Sequence, residues 1–222
     1  MKVQYELHEN VYKIRKHRGE LGWSSEEELN DTIKDFEHFF LNNNLPKKAK
    51  ILELGCGAGD FALWLSKKEF SIYGMDISET AINWAKEKAK KENLSINFTQ
   101  GNVLNLNLYE NNFFDCVIDG YCLHCIIGGD RKTFFQEIKK VLKKQGLFVI
   151  RSICNDPVSE MATKQFDSQT RLLMNGDIAT RYMALEDDLK KEVENAGFKI
   201  IFSKTKKVEL LDDVLVLYCI NE

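Results

Sequence analysis

Proline is scarce: only Pro46 and Pro157 occur in 222 residues, and with 44% hydrophobic and 29% charged residues this composition excludes long disordered stretches. No apolar run approaches the roughly 20 residues of a membrane-spanning helix. The opening residues, Met1-Lys2-Val3-Gln4-Tyr5-Glu6, lack the apolar core of a secretory leader, so the cytoplasm is the expected compartment. An excess of either charge is also lacking. A net charge of −3 offers no bulk attraction for nucleic acid or anionic membrane. The six cysteines are scattered, with Cys116 and Cys219 in apolar, strand-like runs, so free buried thiols are expected. The length suits one α/β domain, residues 1–222, with a full core, and is too short for two.

Against those absences stands the stretch Lys50 to Ala62. An apolar run (Ile51, Leu52, Leu54) ends in three alternate glycines, Gly55, Gly57 and Gly59. A helical pattern then opens at Asp60, which can cap or charge the helix start. Strand, tight turn and helix in that order build the ligand-binding corner of a doubly wound sheet. Two phosphate-binding motifs fail here. The dinucleotide fingerprint needs its third glycine where Asp60 stands, and a P-loop needs Lys and Ser or Thr where Asp60 and Phe61 stand. Glu53, Asp60 and Asp76 surround the loop with carboxylates. They repel a pyrophosphate and suit a ligand carrying an ammonium and a positive sulfur, such as S-adenosylmethionine.

Glu53-Leu54-Gly55-Cys56-Gly57-Ala58-Gly59 closely resembles the first motif of the class I S-adenosylmethionine-dependent methyltransferases, here of the small-molecule type. The resemblance implies a Rossmann-like fold: a doubly wound, mostly parallel seven-stranded sheet whose last strand is antiparallel. It also implies methyl transfer by in-line displacement, with S-adenosylhomocysteine as product. Glu53, Gly55, Cys56, Gly57 and Gly59 are then cofactor contacts. Asp76, ending the second strand with Ile77 beside it, would take the ribose hydroxyls, while Ser78 is the better helix cap. Gly101-Asn102-Val103 resembles the segment that meets the adenine through an amide (Asn102) and a backbone N–H (Val103); an Asn after glycine also fits plain turn chemistry. The fourth strand, Phe113 to Asp119, runs into Gly120, Tyr121 and His124. By resemblance, Asp119, Gly120 and Tyr121 flank the methionine part, and Tyr121 and His124 are the catalytic candidates. His124 could orient or deprotonate an acceptor, or simply pack against backbone.

The remaining segments frame that site. Residues 1–45 read as an N-terminal helical arm, either a wet basic face or a lid whose Tyr12 and Trp23 close over the ligands. Ser24 to Glu27 fits a capping box for a helix from Ser25 to Asn44. Residues 49–152 form the cofactor-binding half. A helix from Asp130 to Lys144 precedes a turn at Gln145-Gly146 and the fifth strand. Residues 153–184 are long for a connection and begin beside the methyl donor, so they are read as a substrate cover or a packed helical insertion. Arg171 or Arg181 could clamp an acceptor carboxylate there, and Tyr182 could line its pocket. Residues 185–222 supply a last helix and a strand pair joined through Glu209, Asp212 and Asp213.

Three rival readings remain. Cys122, His124, Cys125 and Cys154 could bind zinc, or Asp119, Asn155 and Asp156 a divalent ion, but the spacing is poor for both and no metal is expected. RNA or protein methylation lacks the Asn/Asp-Pro-Pro-Tyr/Phe tetrapeptide after strand four, so nucleic acid is not the expected partner. The last is a non-catalytic protein that binds the cofactor as a regulatory or interaction subunit. The sequence leaves the acceptor and the oligomeric state open.

Overall fold

In the computed structural model, which describes residues 2–42, 45–207 and 211–222, the apolar runs become strands covered on both faces. From the N-terminus come β1 (Lys2–Val3), α1 (Leu7–His17), α2 (Glu26–Asn42), β2 (Lys50–Leu54), α3 (Asp60–Ser66), β3 (Ser71–Asp76), α4 (Glu79–Lys91) and β4 (Asn97–Gln100). Next are β5 (Phe114–Gly120), a 3-10 turn (Leu123–Cys125), α5 (Asp130–Val141), β6 (Leu142–Cys154), α6 (Glu160–Gln165), β7 (Phe166–Asp167), β8 (Leu172–Asn175) and β9 (Ile178–Tyr182). Then α7 (Glu186–Asn195), β10 (Phe198–Lys206) and β11 (Asp213–Asn221) complete the chain. The expected helix end at Asn43-Asn44, and Glu209 in the last connection, lie outside the described residues.

Seven strands make the main sheet in the order β10-β11-β6-β5-β2-β3-β4. The five from β6 to β4 are mutually parallel, and β11 is antiparallel to both neighbours, as expected for the final strand. Alternate residues feed opposite cores. On β5, Val117 joins Phe134 and Ile138 of α5, while Cys116 and Ile118 join Phe36 and Phe39 of α2 with Phe61 of α3. The order in which strands are added switches sides between β2 and β5, so the ends of β2, β3, β5 and β6 open into one crevice.

Several boundaries differ from the sequence reading. Ser25 and Glu28, not Ser24 and Glu27, make the reciprocal capping box (2.7 and 3.2 Å), because the run of glutamates offers two registers one residue apart. Helix α5 stops at Val141, and the turn expected at Gln145-Gly146 is an irregularity within β6. There the register slips between Phe114↔Leu142 and Cys116↔Leu147, and Gln145 is left-handed (φ 59°). The larger departure is residues 153–184. They form α6 and an antiparallel meander, β7-β8-β9, which β1 extends by pairing parallel to β9. Short strands with mixed polarity carry little period-2 signal, and their partner lies at the far N-terminus.

Helix α1 docks on the start of α4. Glu9 accepts hydrogen bonds from Ser78 Oγ (2.6 Å), Thr80 Oγ1 (2.6 Å) and Thr80 N (3.1 Å), and Lys16 pairs with Glu87 (2.7 Å). Ser78 Oγ also caps α4 by accepting from Ala81 N (3.0 Å). Partial burial opposes ionisation of Glu9, but the Ser78 and Thr80 hydrogen bonds outweigh it and hold the carboxyl near 2, below the ordinary 4.5. A depressed carboxyl stabilises docking above its ordinary pKa and loses that contribution as pH falls through its folded value. Acidification from about pH 6 to about pH 3 should therefore loosen α1, read as a change in Trp23 emission referenced to Trp23→Phe. Glu9→Gln should be looser at the upper pH and respond less to acid.

Candidate functional site

The parallel registers place Leu54 beside both Met75 and Asp119, and Gly120 beside Arg151, so four strand ends meet at one edge. A cavity of about 540 Å³ opens there. Of the residues expected to hold the cofactor, Glu53, Gly55, Cys56, Gly57, Asp76, Ile77, Asn102, Val103, Gly120 and Tyr121 line it. Tyr12, Trp23, His124 and Arg181 line it as well.

The glycine loop explains its own composition. Gly57 is left-handed (φ 53°), and a Cβ there would run into the Tyr12 hydroxyl. Its N–H donates to Asp76 Oδ2 (2.9 Å), while Asp76 Oδ1 accepts from Ser78 N (2.9 Å). Gly59 has another purpose. It does not line the cavity, and a Cβ there would sit 2.8 Å from both Ala85 Cβ and Phe98 Cζ. The expected cofactor contact at Gly59 is therefore a helix-packing contact. Asp60 lies in the first turn of α3 without capping it, and is paired with Lys88 (2.6 Å).

Buried carboxylates dominate the electrostatics. Glu53 is buried with Oε2 unpartnered, and burial, then Asp60 and Asp76, push its carboxyl well above the usual range. Burial likewise raises Asp76 against the hydrogen bonds from Ser78 and Gly57. Tyr12 is also buried, and burial with Asp76, Cys56 and Glu53 raises its hydroxyl. An orphaned carboxylate oxygen above a loop that admits no side chain fits a ligand with an ammonium group and a positive sulfur. Asn102 does serve the turn, accepting from Leu104 N (2.9 Å), and its carbonyl keeps a second lone pair.

The other side of the cavity is built from the β5 exit, β6, α2, β9 and β10. Asp119 is fully buried and does not line the cavity, which corrects its expected role as a cofactor contact. It shapes the exit instead, accepting from Cys122 N (2.9 Å) and Leu123 N (3.0 Å). Tyr121 is left-handed (φ 68°) and its hydroxyl accepts from Arg151 Nη2 (2.7 Å). Arg151, fully buried, also donates to Asp35 and to Asp31 (3.5 Å), and Lys206 joins both aspartates (2.6 and 3.1 Å). His124 is buried beside the Tyr121 ring with Nδ1 unpartnered. Burial first, then the charges of Arg181, His8 and Arg131, hold His124 well below its ordinary 6.5, so its imidazole is neutral. Arg131 fixes the turn that carries His124 by donating to the carbonyls of Leu123 (2.8 Å) and Ile126 (3.0 Å).

Two expected acceptor residues point elsewhere. Arg171 donates to the Met183 carbonyl (2.6 Å) and pairs with Asp156 (2.9 Å), and the Tyr182 ring packs under the Arg131 guanidinium (4.9 Å). Neither lines the cavity. Asn155 bonds Asp213 (2.8 Å) and Glu186 N (3.1 Å), so it is engaged in holding α7. Among the described residues no group of three or more His, Cys, Asp or Glu side chains is placed to hold a metal ion. The sequence reading missed His8, Asp31, Arg131, Arg151 and Lys206. An arginine inside an apolar strand, as at Arg151, was the available signal, because such a charge must be paired.

Burial raises Asp119 to about 7, with the Cys122 and Leu123 N–H groups opposing the shift. A carboxyl raised by folding favours the protonated form. Its contribution is full below the ordinary 3.8 and is lost as pH rises through about 7. Asp119→Asn should therefore flatten the fall in stability across that window, measured by urea unfolding at several pH values.

No helix of the described residues is long and apolar enough to cross a membrane. Residues 45–198 match the family model described as a methyltransferase domain. Carboxy-S-adenosyl-L-methionine synthase of Campylobacter hominis is 29% identical over 176 residues, spanning 72% of this chain and 74% of that protein. In fold, an S-adenosylmethionine-dependent methyltransferase from Clostridium acetobutylicum is similar with a TM-score of 0.68 at 18% identity, covering 98% of this chain and 99% of that one. Magnesium protoporphyrin IX methyltransferase from Synechocystis, solved with bound S-adenosylhomocysteine, gives 0.71 at 17% identity with 98% of both chains covered. With the family model spanning most of the chain and the glycine loop and acids in place, this protein belongs to the class I S-adenosylmethionine-dependent methyltransferases.

Proposed function

We propose that the chain methylates a small molecule held between the cofactor loop and a roof made of α1, α2 and the β7-β8-β9 meander. The observation that supports this most directly is enclosure. Residues from α1 (His8, Tyr12), α2 (Asp31, Phe36) and β9 (Arg181) wall the same cavity as the glycine loop. A folded RNA or protein acceptor needs an open face beside the reacting methyl, and this roof narrows it. A purely regulatory protein would have no use for a neutral, unpartnered imidazole and a strained tyrosine at the same edge.

The roles then follow from each residue's surroundings. Glu53 would take the cofactor's ammonium group, Asp76 its ribose hydroxyls, and Asn102 with the Val103 N–H its adenine. S-adenosylmethionine supplies a methyl group made electrophilic by its sulfonium, so the protein contributes alignment, exclusion of water and a proton acceptor. His124 is uncharged and thus able to take the acceptor's proton. The Tyr121 hydroxyl accepts from Arg151, which leaves its own proton free to donate to the acceptor. The N-terminal arm acts as a lid through Tyr12, and residues 153–184 act as the acceptor's cover.

The name of the Campylobacter relative implies a second chemistry, production of a carboxylated cofactor. Arg181, a guanidinium in the cavity without a carboxylate partner among the described residues, is the feature that favours it. Mass spectrometry separates the two. Methyl transfer yields S-adenosylhomocysteine and a methylated acceptor, whereas the alternative yields a carboxylated S-adenosylmethionine.

Calorimetry with S-adenosylmethionine and S-adenosylhomocysteine tests the donor site. Asp76→Ala should weaken both by at least about tenfold, through two lost charge-assisted hydrogen bonds. Gly57→Val should abolish binding, whereas Gly59→Ala should lower stability by about 1–3 kcal/mol with little change in affinity. Binding should tighten as pH rises, because the raised carboxyls Glu53 and Asp76 must ionise against a cation. Full affinity in both Asp76→Ala and Gly57→Val would sink the donor site as drawn. Against an identified acceptor, His124→Gln should slow turnover by about 10²-fold or more and leave S-adenosylhomocysteine affinity intact.

A further inference from the structure

Three cations line the cavity on its acceptor side, and two are already neutralised. Arg151 and Lys206 share Asp31 and Asp35 in one compact cluster. The third, Arg181 on β9, has no hydrogen-bond or ion-pair partner among the described residues, whereas its neighbour Arg171 is held by Asp156 and the Met183 carbonyl. Strand β9 packs against the 3-10 turn that carries His124 and Cys125, and the Arg181 charge acts on both side chains. The cross-strand partner of Arg181 is the apolar Leu173, which packs with Ala162, and Met161 and Ile126 also line the cavity.

We propose that the methyl acceptor carries a carboxylate on a small apolar body, and that Arg181 binds this carboxylate as a handle beside His124. The inference rests on the methyl-transfer reading and names its substrate class. One guanidinium presents a planar fork of donors that matches a single carboxylate. A phosphate dianion would need further cations, and Arg151 and Lys206 in the same cavity are already committed to Asp31 and Asp35. The handle leaves the nucleophile to another atom of the acceptor. A carboxylate neutralised by a guanidinium is a poor nucleophile, and an uncharged imidazole serves a group that must lose a proton.

The test is equilibrium binding by calorimetry at saturating S-adenosylhomocysteine. The probes are hydroxybenzoates, phenylacetate and short 2-hydroxy acids, each paired with its primary amide. Wild type should prefer carboxylates over their amides by about tenfold or more. Arg181→Met should erase that preference, and Arg181→Lys should retain part of it. All three proteins should bind S-adenosylhomocysteine equally, which shows the donor site intact. Equal binding of acids and amides, a preference that survives in Arg181→Met, or tighter binding of phosphate monoesters overturns the handle. A carboxylated cofactor that appears with wild type and vanishes with Arg181→Met assigns the carboxylate to the donor and overturns the handle too. Failure of wild type to bind S-adenosylhomocysteine instead removes the methyl-transfer reading, and this inference falls with it.

Discussion

Carboxylates buried at one edge of a parallel sheet are the constraint on which the site depends. Glu53, Asp76 and Asp119 sit at the ends of adjacent strands and are all at least nine-tenths hidden from solvent. Burying a charge without a partner costs far more than any single packing contact returns, so each of the three has a local arrangement to bear it. Asp76 and Asp119 each receive two backbone N–H groups, from the glycine loop and the α4 cap for one and from the turn after β5 for the other. Both N–H groups at Asp119 go to Oδ1, so Asp119 Oδ2 and Glu53 Oε2 each keep no partner among the described residues. The loop geometry is thus partly dictated by carboxylates.

The other side of the cavity solves the opposite problem. Arg151 is as deeply buried as any core residue, yet it is compensated twice over by Asp31 and Asp35, with Lys206 sharing the excess negative charge. Breaking such a cluster by removing one member strands a charge, which costs about 3–5 kcal/mol, so it ties α2, β6 and β10 together rigidly. Rigidity there fixes the Tyr121 hydroxyl, and Arg131 does the same for the turn bearing His124. The donor half is therefore charged and unbalanced, while the acceptor half is balanced except at Arg181.

Legibility in the sequence followed the range of the interactions. The glycine loop and the cap at Ser78 were readable because each depends on local spacing, and the seven-stranded, mostly parallel sheet with its antiparallel last strand followed from the family resemblance that the loop carries. Gly59 misled because a glycine beside a ligand and a glycine under a neighbouring helix look identical in one dimension. Asp119 misled for a related reason: a carboxylate at a strand end can face the cavity or hold the turn behind it. His8 and Arg131 were invisible, since His8 meets Cys125 more than a hundred residues away and Arg131 pairs with Glu192 on α7. The meander in residues 153–184 was missed because its short strands need each other, and β1, to pair.

That pairing gives the roof its logic. β1 joins the meander at β9, the Tyr5 hydroxyl donates to Asp130 (2.8 Å) and accepts from Ile127 N (3.3 Å), and Glu9 is anchored on the start of α4. The arm is therefore held before and after His8, and Tyr12 follows one helical turn beyond that residue. Between these anchors the Tyr12 hydroxyl lies against Gly57, where an added Cβ would meet it. A ligand that needs the space around Gly57 has to work against the Glu9 anchor, the β1 pairing or both. The cover and the arm share a sheet, which joins the segment ahead of Tyr12 to β9, the strand that carries Arg181.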